Sequence, residues 1–353
     1  MLWWSGCTWV SGQIRPPWID DPHQAYPATD YLTGVGQAES RQGAADQAYA
    51  AVARIFKANV DSHVKDWETY FLVEKRKSAT IEERRLALET VTKVSTDKVL
   101  ENVRIMETWY DQVKGVYYAL AVMNRSQAEA ALLDRVLALD QAIEADVAES
   151  RRVSDAVLKV RKLRRAARNL VMRDVYNADL RIVRPSGQGI QSPYQADGIV
   201  RELEEVLTTG LKVAVQMAGD YAEIAQQALT EGLVREGIPI VGGEEDREQN
   251  DAALIVRGVT KLTLVQVHDP YFKYARWCED VEISERATGR VLGIVSGSGK
   301  EGHVTEREAI ARALRVLRQH LSSEVAPAIT AYLFGEAELP RPARMQGGCP
   351  RDD

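Results

Sequence analysis

Cysteine is scarce in this chain of 353 residues: Cys7, Cys278 and Cys349 are the whole complement. Three thiols so widely scattered exclude a disulfide framework and a cysteine-based zinc cluster. The five histidines, His23, His63, His268, His303 and His320, have no partner four residues away and no neighbouring Cys pair, which argues against a metal site. No run of apolar residues is long enough to cross a bilayer as a helix. Charge of one sign is also missing. A net charge of −6 argues against the whole chain being a nucleic-acid binder.

Catalytic patterns are absent in the same way. No Gly-x-Ser-x-Gly elbow and no two-His-one-carboxylate spacing occurs. Gly34-x-Gly36 lacks the third glycine of a dinucleotide cradle, since position 39 is Glu. The pair lets a strand pass close under the next helix. Gly297-Ser298-Gly299-Lys300 imitates a phosphate loop, but Glu301 stands where Ser or Thr would bind magnesium. It reads as a solvated turn. Glu244, Glu245 and Asp246 lie in a loop too polar to raise a carboxyl pKa. These absences predict no enzyme and no cofactor.

Glycine and proline are missing over 116–184 and over 44–114, with Gly115 alone between. Before these runs, the prolines at 16, 17, 22 and 27 predict an extended tether over 8–27, fixed to the first domain by Trp18 and Ile19. A short strand at 31–38 should lead into a helix over about 41–64 with one narrow face of Ala44, Ala48, Ala51, Val52, Ile55, Phe56 and Val60. Strand formers fill 67–73, 80–100 is ambiguous, and 103–110 and 116–123 flank a Gly-containing turn and predict a hairpin. Helix follows from about Ser126, with its apolar register slipping near Glu149 and Ser150. Positions 151–173 hold nine Arg or Lys against one acid, Asp155, densest at Arg161, Lys162, Arg164, Arg165 and Arg168. Either that run is a solvated helix face, or it contacts an anion: lipid headgroups, a cell-wall polymer or nucleic acid.

Pro185, Gly187, Gly189 and Pro193 mark the best boundary. Beyond it, strands at 211–217, 238–241 and 252–258, with 262–267 either continuing the last or beginning a neighbour, alternate with helices at 196–208 and 221–236. A hairpin at 275–284 and 289–296 turns at 287–289, and a last helix over 305–334 should break near Pro327. The tail, 337–353, reads as disordered.

Two resemblances attach to these residues. Pro17-Trp18-Ile19, Tyr31-x-x-Gly34-Val35-Gly36-x-Ala38, Trp109-Tyr110 and the Tyr117-Tyr118-Ala119-Leu120-Ala121-Val122 strand closed by Asn124-Arg125 resemble the Lpp-twenty lipoprotein family and the similar N-terminal domain of FlgT. That resemblance covers about 16–145. It implies an envelope lipoprotein domain with helices on a small antiparallel sheet and no known enzymatic activity. Ala252-Ala253-Leu254-Ile255-Val256-Arg257-Gly258 and Glu285-Arg286-Ala287-Thr288-Gly289-Arg290-Val291 resemble the fold shared by the TolB N-terminal domain, CsgG and LpoB, over about 205–336. Ala253 stands where that family has Asp. This second resemblance implies a periplasmic binding or scaffold module.

The fold class is therefore α+β: a small antiparallel sheet with packed helices, a long helical connector, then a second α/β domain of TolB-N/CsgG-like type. The expected division is 1–27 as signal remnant, lipidation site and tether, 28–150 as the Lpp-twenty-like domain, 151–189 as basic connector, 190–336 as the second domain and 337–353 as tail. Ser5-Gly6-Cys7 resembles the end of a lipoprotein signal, with Cys7 as the lipid attachment residue, although Trp4 stands where Leu is usual. The function so implied is a non-catalytic outer-membrane lipoprotein, a scaffold for envelope proteins in envelope or surface-structure assembly. It is held to the membrane by its lipid, with homo-oligomerisation left open. The alternative is a polyanion or nucleic-acid binder using 151–173.

Overall fold

The computed structural model describes residues 14–60, 101–241, 252–266, 271–339 and Cys349. Cys7, the strand formers at 67–73, the ambiguous 80–100, the acidic loop 244–246 and most of the tail lie outside the described residues. The chain separates into two compact units, and the two resulting sheets make the fold α+β, as expected. Of the described residues, the first unit takes 14–60, 101–143 and 168–194, and the second takes the rest. The expected connector, 151–189, thus contributes to both.

In the first unit β1 (Tyr31–Ala38), β2 (Val103–Asp111) and β3 (Val116–Asn124) form an antiparallel sheet in the order β1-β3-β2. The hairpin turn between β2 and β3 is built locally. Asp111 Oδ1 accepts from the N–H groups of Val113 and Lys114, at 3.0 and 3.1 Å, and Gly115 takes a φ of +69° that other residues resist. Central β3 is buried on both faces because its side chains alternate between two apolar clusters. Ala119, Ala121 and Met123 join a cluster with Ala44, Ala48, Val52 and Phe56 of α1 (Arg41–Val60). Tyr118, Leu120 and Val122 face Trp18 and Ile19, so the knot expected to hold the N-terminal segment does so.

The Gly34–Gly36 reading also holds. A Cβ at Gly36 would lie 2.2 Å from the Ala44 carbonyl oxygen and 2.3 Å from the Ala48 nitrogen. Only glycine lets α1 lie this close to β1.

The long glycine-free run divides into α2 (Arg125–Arg152) and α3 (Ala156–Val183), breaking just past the expected register slip. Asp155 restarts the helix by accepting from the N–H groups of Val157 and Leu158, at 2.8 and 3.1 Å. In the first unit the two segments pack together through Leu132, Val136, Tyr176, Leu180 and Val183.

The second unit carries a four-stranded sheet, β4-β5-β6-β7, from β4 (Val213–Gly219), β5 (Leu254–Val265), β6 (Lys273–Glu285) and β7 (Val291–His303). β4 and β5 are parallel and the other pairs antiparallel. Its helices are α4 (Ala196–Glu205), α5 (Ala222–Arg235), α6 (Glu306–His320) and α7 (Ala326–Leu333), with one π-helical turn at Leu321–Val325 between the last two. The expected irregularity near Pro327 is this wide turn. Of the two readings of 262–267, continuation of the preceding strand is the one adopted. Two details differ from expectation. Among the described residues the segment at 238–241 makes only the bridge Val213↔Ile240, and Gly297–Lys300 lies inside β7 instead of in a turn. Pairing with β6 supplies the backbone partners that make the longer strand stable.

Candidate functional site

The residues that carry the N-terminal resemblance have structural work. Asn124 ends β3 and accepts at Oδ1 from the Gln127 N–H, at 3.0 Å, which caps α2. Arg125 donates to Ala28 O at 2.8 Å and to Ile182 O and Val183 O at 2.7 and 3.1 Å. One guanidinium therefore satisfies the last carbonyls of α3 and holds the N-terminal segment. Burial lowers its pKa from the ordinary value. Deeper in the same unit the fully buried Arg173 pairs with Asp140, Nε to Oδ1 at 2.9 Å. It also donates to Ile190 O and Gln191 O, at 3.1 and 3.0 Å.

Four of the basic residues picked out as an anionic contact, Arg161, Lys162, Arg164 and Arg165, meet groups of the second unit itself. Lys162 pairs with Asp146 at 3.5 Å and closely with Glu149. Arg165 makes a two-pronged bond to the buried Asp146, which raises the arginine pKa further. Arg161 donates to Tyr332 O at 2.5 Å and stacks over that ring. Arg164 is buried, bonded to Phe334 O at 3.2 Å and to Glu336 at 2.7 Å. Arg168 is half-buried on the same helix. Four of the five cations thus have named partners in their own unit.

A second cluster went unread in the sequence. Glu279 on β6 is fully buried, and His320, at the end of α6, places Nε2 2.9 Å from its Oε1. The ring N–H is turned off that line, so the contact is an ion pair and not a straight hydrogen bond. The second ring nitrogen, Nδ1, lies 3.1 Å from exposed Glu324, in the π-helical turn. Burial pushes the Glu279 carboxyl above its ordinary pKa, and neighbouring His320 pulls it partly back. His320 is raised in turn, chiefly by Glu279 and against burial. The Trp277 ring packs beside His320 with centroids 5.4 Å apart.

Gly297 and Gly299 make room for this cluster. They face Glu279 and Trp277 directly across β6 and β7. A Cβ at Gly297 would lie 2.3 Å from His320 Nε2, and one at Gly299 2.5 Å from the Trp277 indole nitrogen. The segment that imitates a phosphate loop is a clearance for a buried ion pair.

On the other face of β6, Cys278 is disulfide-bonded to Cys349, and the Cys349 N–H donates to Asp280 at 2.9 Å. Sequence separation of 71 hid this pair. Leu339 is also buried, so the stretch read as a disordered tail has two buried points.

Several clefts open in the second unit, among them two of similar volume. One, of about 410 Å³, is lined by Asp155, Val157, Leu254, Glu285 and Arg286. The other, of about 420 Å³, is lined by Arg151, Lys159, Glu202, Glu205 and Thr209. Neither contains Glu279 or His320. Among the described residues no cluster of His, Cys, Asp and Glu is placed to hold a metal ion, and no helix is long and apolar enough to cross a membrane.

Residues 16–124 match the family model described as LPP20 lipoprotein. No curated protein matches the chain. Among solved structures, a minor lipoprotein from Acinetobacter baumannii is 14% identical over 34% of this chain and 92% of its own, with a TM-score of 0.26. The secreted protein HP1454 from Helicobacter pylori is 15% identical over 83% of this chain and 98% of its own, with a TM-score of 0.37. PelC from Paraburkholderia phytofirmans, a dodecamer, is 20% identical over 31% of this chain and 86% of its own, with a TM-score of 0.24.

Proposed function

We propose that this chain is a cell-envelope lipoprotein without catalysis of its own, a scaffold that gathers envelope proteins during envelope or surface-structure assembly. The match of residues 16–124 to the LPP20 lipoprotein model carries this reading. The Cys278–Cys349 disulfide supports it, because disulfides persist in oxidising compartments such as the periplasm. In this reading Cys7 bears the lipid, the outer membrane holds it, and the second unit is the TolB-N/CsgG/LpoB-like binding module. The polyanion alternative gains nothing from Arg161, Lys162, Arg164 and Arg165, whose charges meet partners within their unit.

The test is metabolic labelling with a fatty-acid analogue in cells expressing the gene from its native locus. Wild type should incorporate label and Cys7→Ala should not. Equal labelling of the two would sink the anchor. Cross-linking in the same cells, followed by identification of the captured proteins, should return envelope proteins.

A further inference from the structure

The face of β6 that bears Cys278 also bears a charge arrangement that costs stability. In the register Thr263↔Arg276↔Lys300, Arg276 and Lys300 stand directly opposite each other on adjacent strands. Opposed residues point to the same face, and like charges so placed repel. Both are exposed. Lys261 stands opposite Cys278, so it lies on the same face and is the diagonal neighbour of Arg276 across β5 and β6. The carboxylates nearby are turned to other groups. Asp280 accepts from the Cys349 N–H at 2.9 Å, and Glu282 stands opposite Arg257. Glu301 alternates to the opposite face and pairs with Arg312 at 3.2 Å.

The disulfide brings a second feature to the same place. Cys349 is bonded to Cys278, with Cα atoms 5.2 Å apart. Cys278 is two residues from Arg276 along β6 and diagonal to Lys300, about 7 Å from each. From Cys349 the sequence runs on as Pro350-Arg351-Asp352-Asp353, beyond the described residues. Three residues span at most ~10 Å and four at most ~14 Å. That tether is long enough to bring both carboxylates to Arg276, Lys300 and Lys261, and too short to carry them far from the face.

We propose that Asp352 and Asp353 dock on this face of the β5–β6–β7 sheet and neutralise Arg276 and Lys300, with Lys261 beside them. The disulfide is then the tether of an internal contact as well as a loop closure. Charge complementarity selects the occupant, because two acids outnumber the segment's one base, Arg351, and meet three cations. Proximity favours it over any dissolved anion. A ligand joined through so few residues acts at an effective concentration in the millimolar range, which a competitor must exceed. The basic face is masked while the disulfide is closed. Exchange with a dithiol, which is oxidised as Cys278 and Cys349 take up two electrons and two protons, frees the segment and bares the cations.

The test uses the full oxidised chain. A carbodiimide, which joins carboxylates to amines in direct contact, should link Asp352 or Asp353 to Lys300 or Lys261, as peptide mapping would show. Acetylation of Lys300 should run faster in the Asp352→Asn, Asp353→Asn variant than in wild type. A rise of roughly two- to fivefold is the size expected of an exposed ion pair. Lys273, exposed on the opposite face, should react equally in both. Opening the disulfide with a dithiol should cut the yield of the link at least fivefold, with circular dichroism confirming that the fold persists. Where it does not persist, the Asp→Asn comparison decides. Absence of the link from the oxidised chain, an undiminished link after reduction of the folded chain, or equal Lys300 rates in the two proteins overturns the proposal. Equal rates that both fall on adding inorganic polyphosphate would assign the face to an external anion instead.

Discussion

Gly36→Ala adds one methyl group to a strand, and we expect it to be among the most damaging small changes in the first unit. The added carbon would lie 2.2 Å from Ala44 O, 2.3 Å from Ala48 N and 2.8 Å from Gln47 C. All three are main-chain atoms of α1, so no rotamer change can clear the contact. Ordinary contact between such atoms needs ~3.5 Å, so α1 must withdraw by about 1 Å or β1 must buckle. Either movement loosens Ala44, Ala48, Val52 and Phe56, all essentially inaccessible to solvent. Overpacking of a closed core costs about 1–3 kcal/mol, and a rigid obstacle puts this site at the upper end. The alanine also restricts the unfolded chain, which offsets up to ~1 kcal/mol. A net loss of about 2–3 kcal/mol should lower the melting temperature of this unit by roughly 6–10 °C.

Circular dichroism melts give the midpoint, and hydrogen exchange across 31–56 localises the loss to β1 and α1. Gly198→Ala is the matched control. Gly198 lies in α4, with nothing within 4 Å of an added Cβ and no unusual φ. The same chemical change there should stabilise by about 0.5–1 kcal/mol through helix propensity. A Gly36→Ala protein that melts with wild type, with unchanged exchange over 31–56, would refute the close-approach argument.

Three further outcomes follow from the packing. Arg173→Ala should cost about 3–5 kcal/mol in urea unfolding, because it strands Asp140 and two carbonyls, and Arg173→Lys should recover little of it without the planar fork. Non-reducing peptide mapping should find Cys278 joined to Cys349, and opening that 71-residue loop with Cys349→Ser should lower stability by about 4 kcal/mol. Stability of the second unit should fall as pH rises. The folded pKa of His320 lies above 6.5, so its contribution is full below that value and is lost as pH climbs through the raised one. Glu279 is raised above 4.5, so the cost of burying its charge grows from there upward, in the same direction. Urea midpoints at acid and alkaline pH should show this slope in wild type and a flatter one in Glu279→Gln. A wild-type midpoint that rises toward alkaline pH would contradict the assignment.

What could be read ahead of the structure was local. The β2–β3 hairpin rests on Asp111 and Gly115 within one turn, and the break between α2 and α3 follows an apolar register that slips within a few residues. The partners of the basic run are distant along the chain: Asp146 is 19 residues from Arg165, and Glu336 is 172 from Arg164. Composition shows the cations and cannot show that Phe334 O and Glu336 meet one of them.

His320 is the sharper case. By spacing it belongs to the apolar stripe of α6, and it does pack inward, but its counter-charge lies on β6. A signal for that pairing was nevertheless within reach. Once the β6–β7 turn is placed at 287–289, reflecting the chain about Thr288 sets Gly297 against Glu279 and Gly299 against Trp277, the register that the strands adopt. Two glycines on one face of a strand, each opposite a large side chain, describe a space left for something bulky and polar above the sheet. A helix follows directly on β7, and the polar side chain closing its inward stripe is His320. Read through its partners across the strand, the glycine-rich segment points to a buried ion pair; read along the chain alone, it points to a turn or a phosphate.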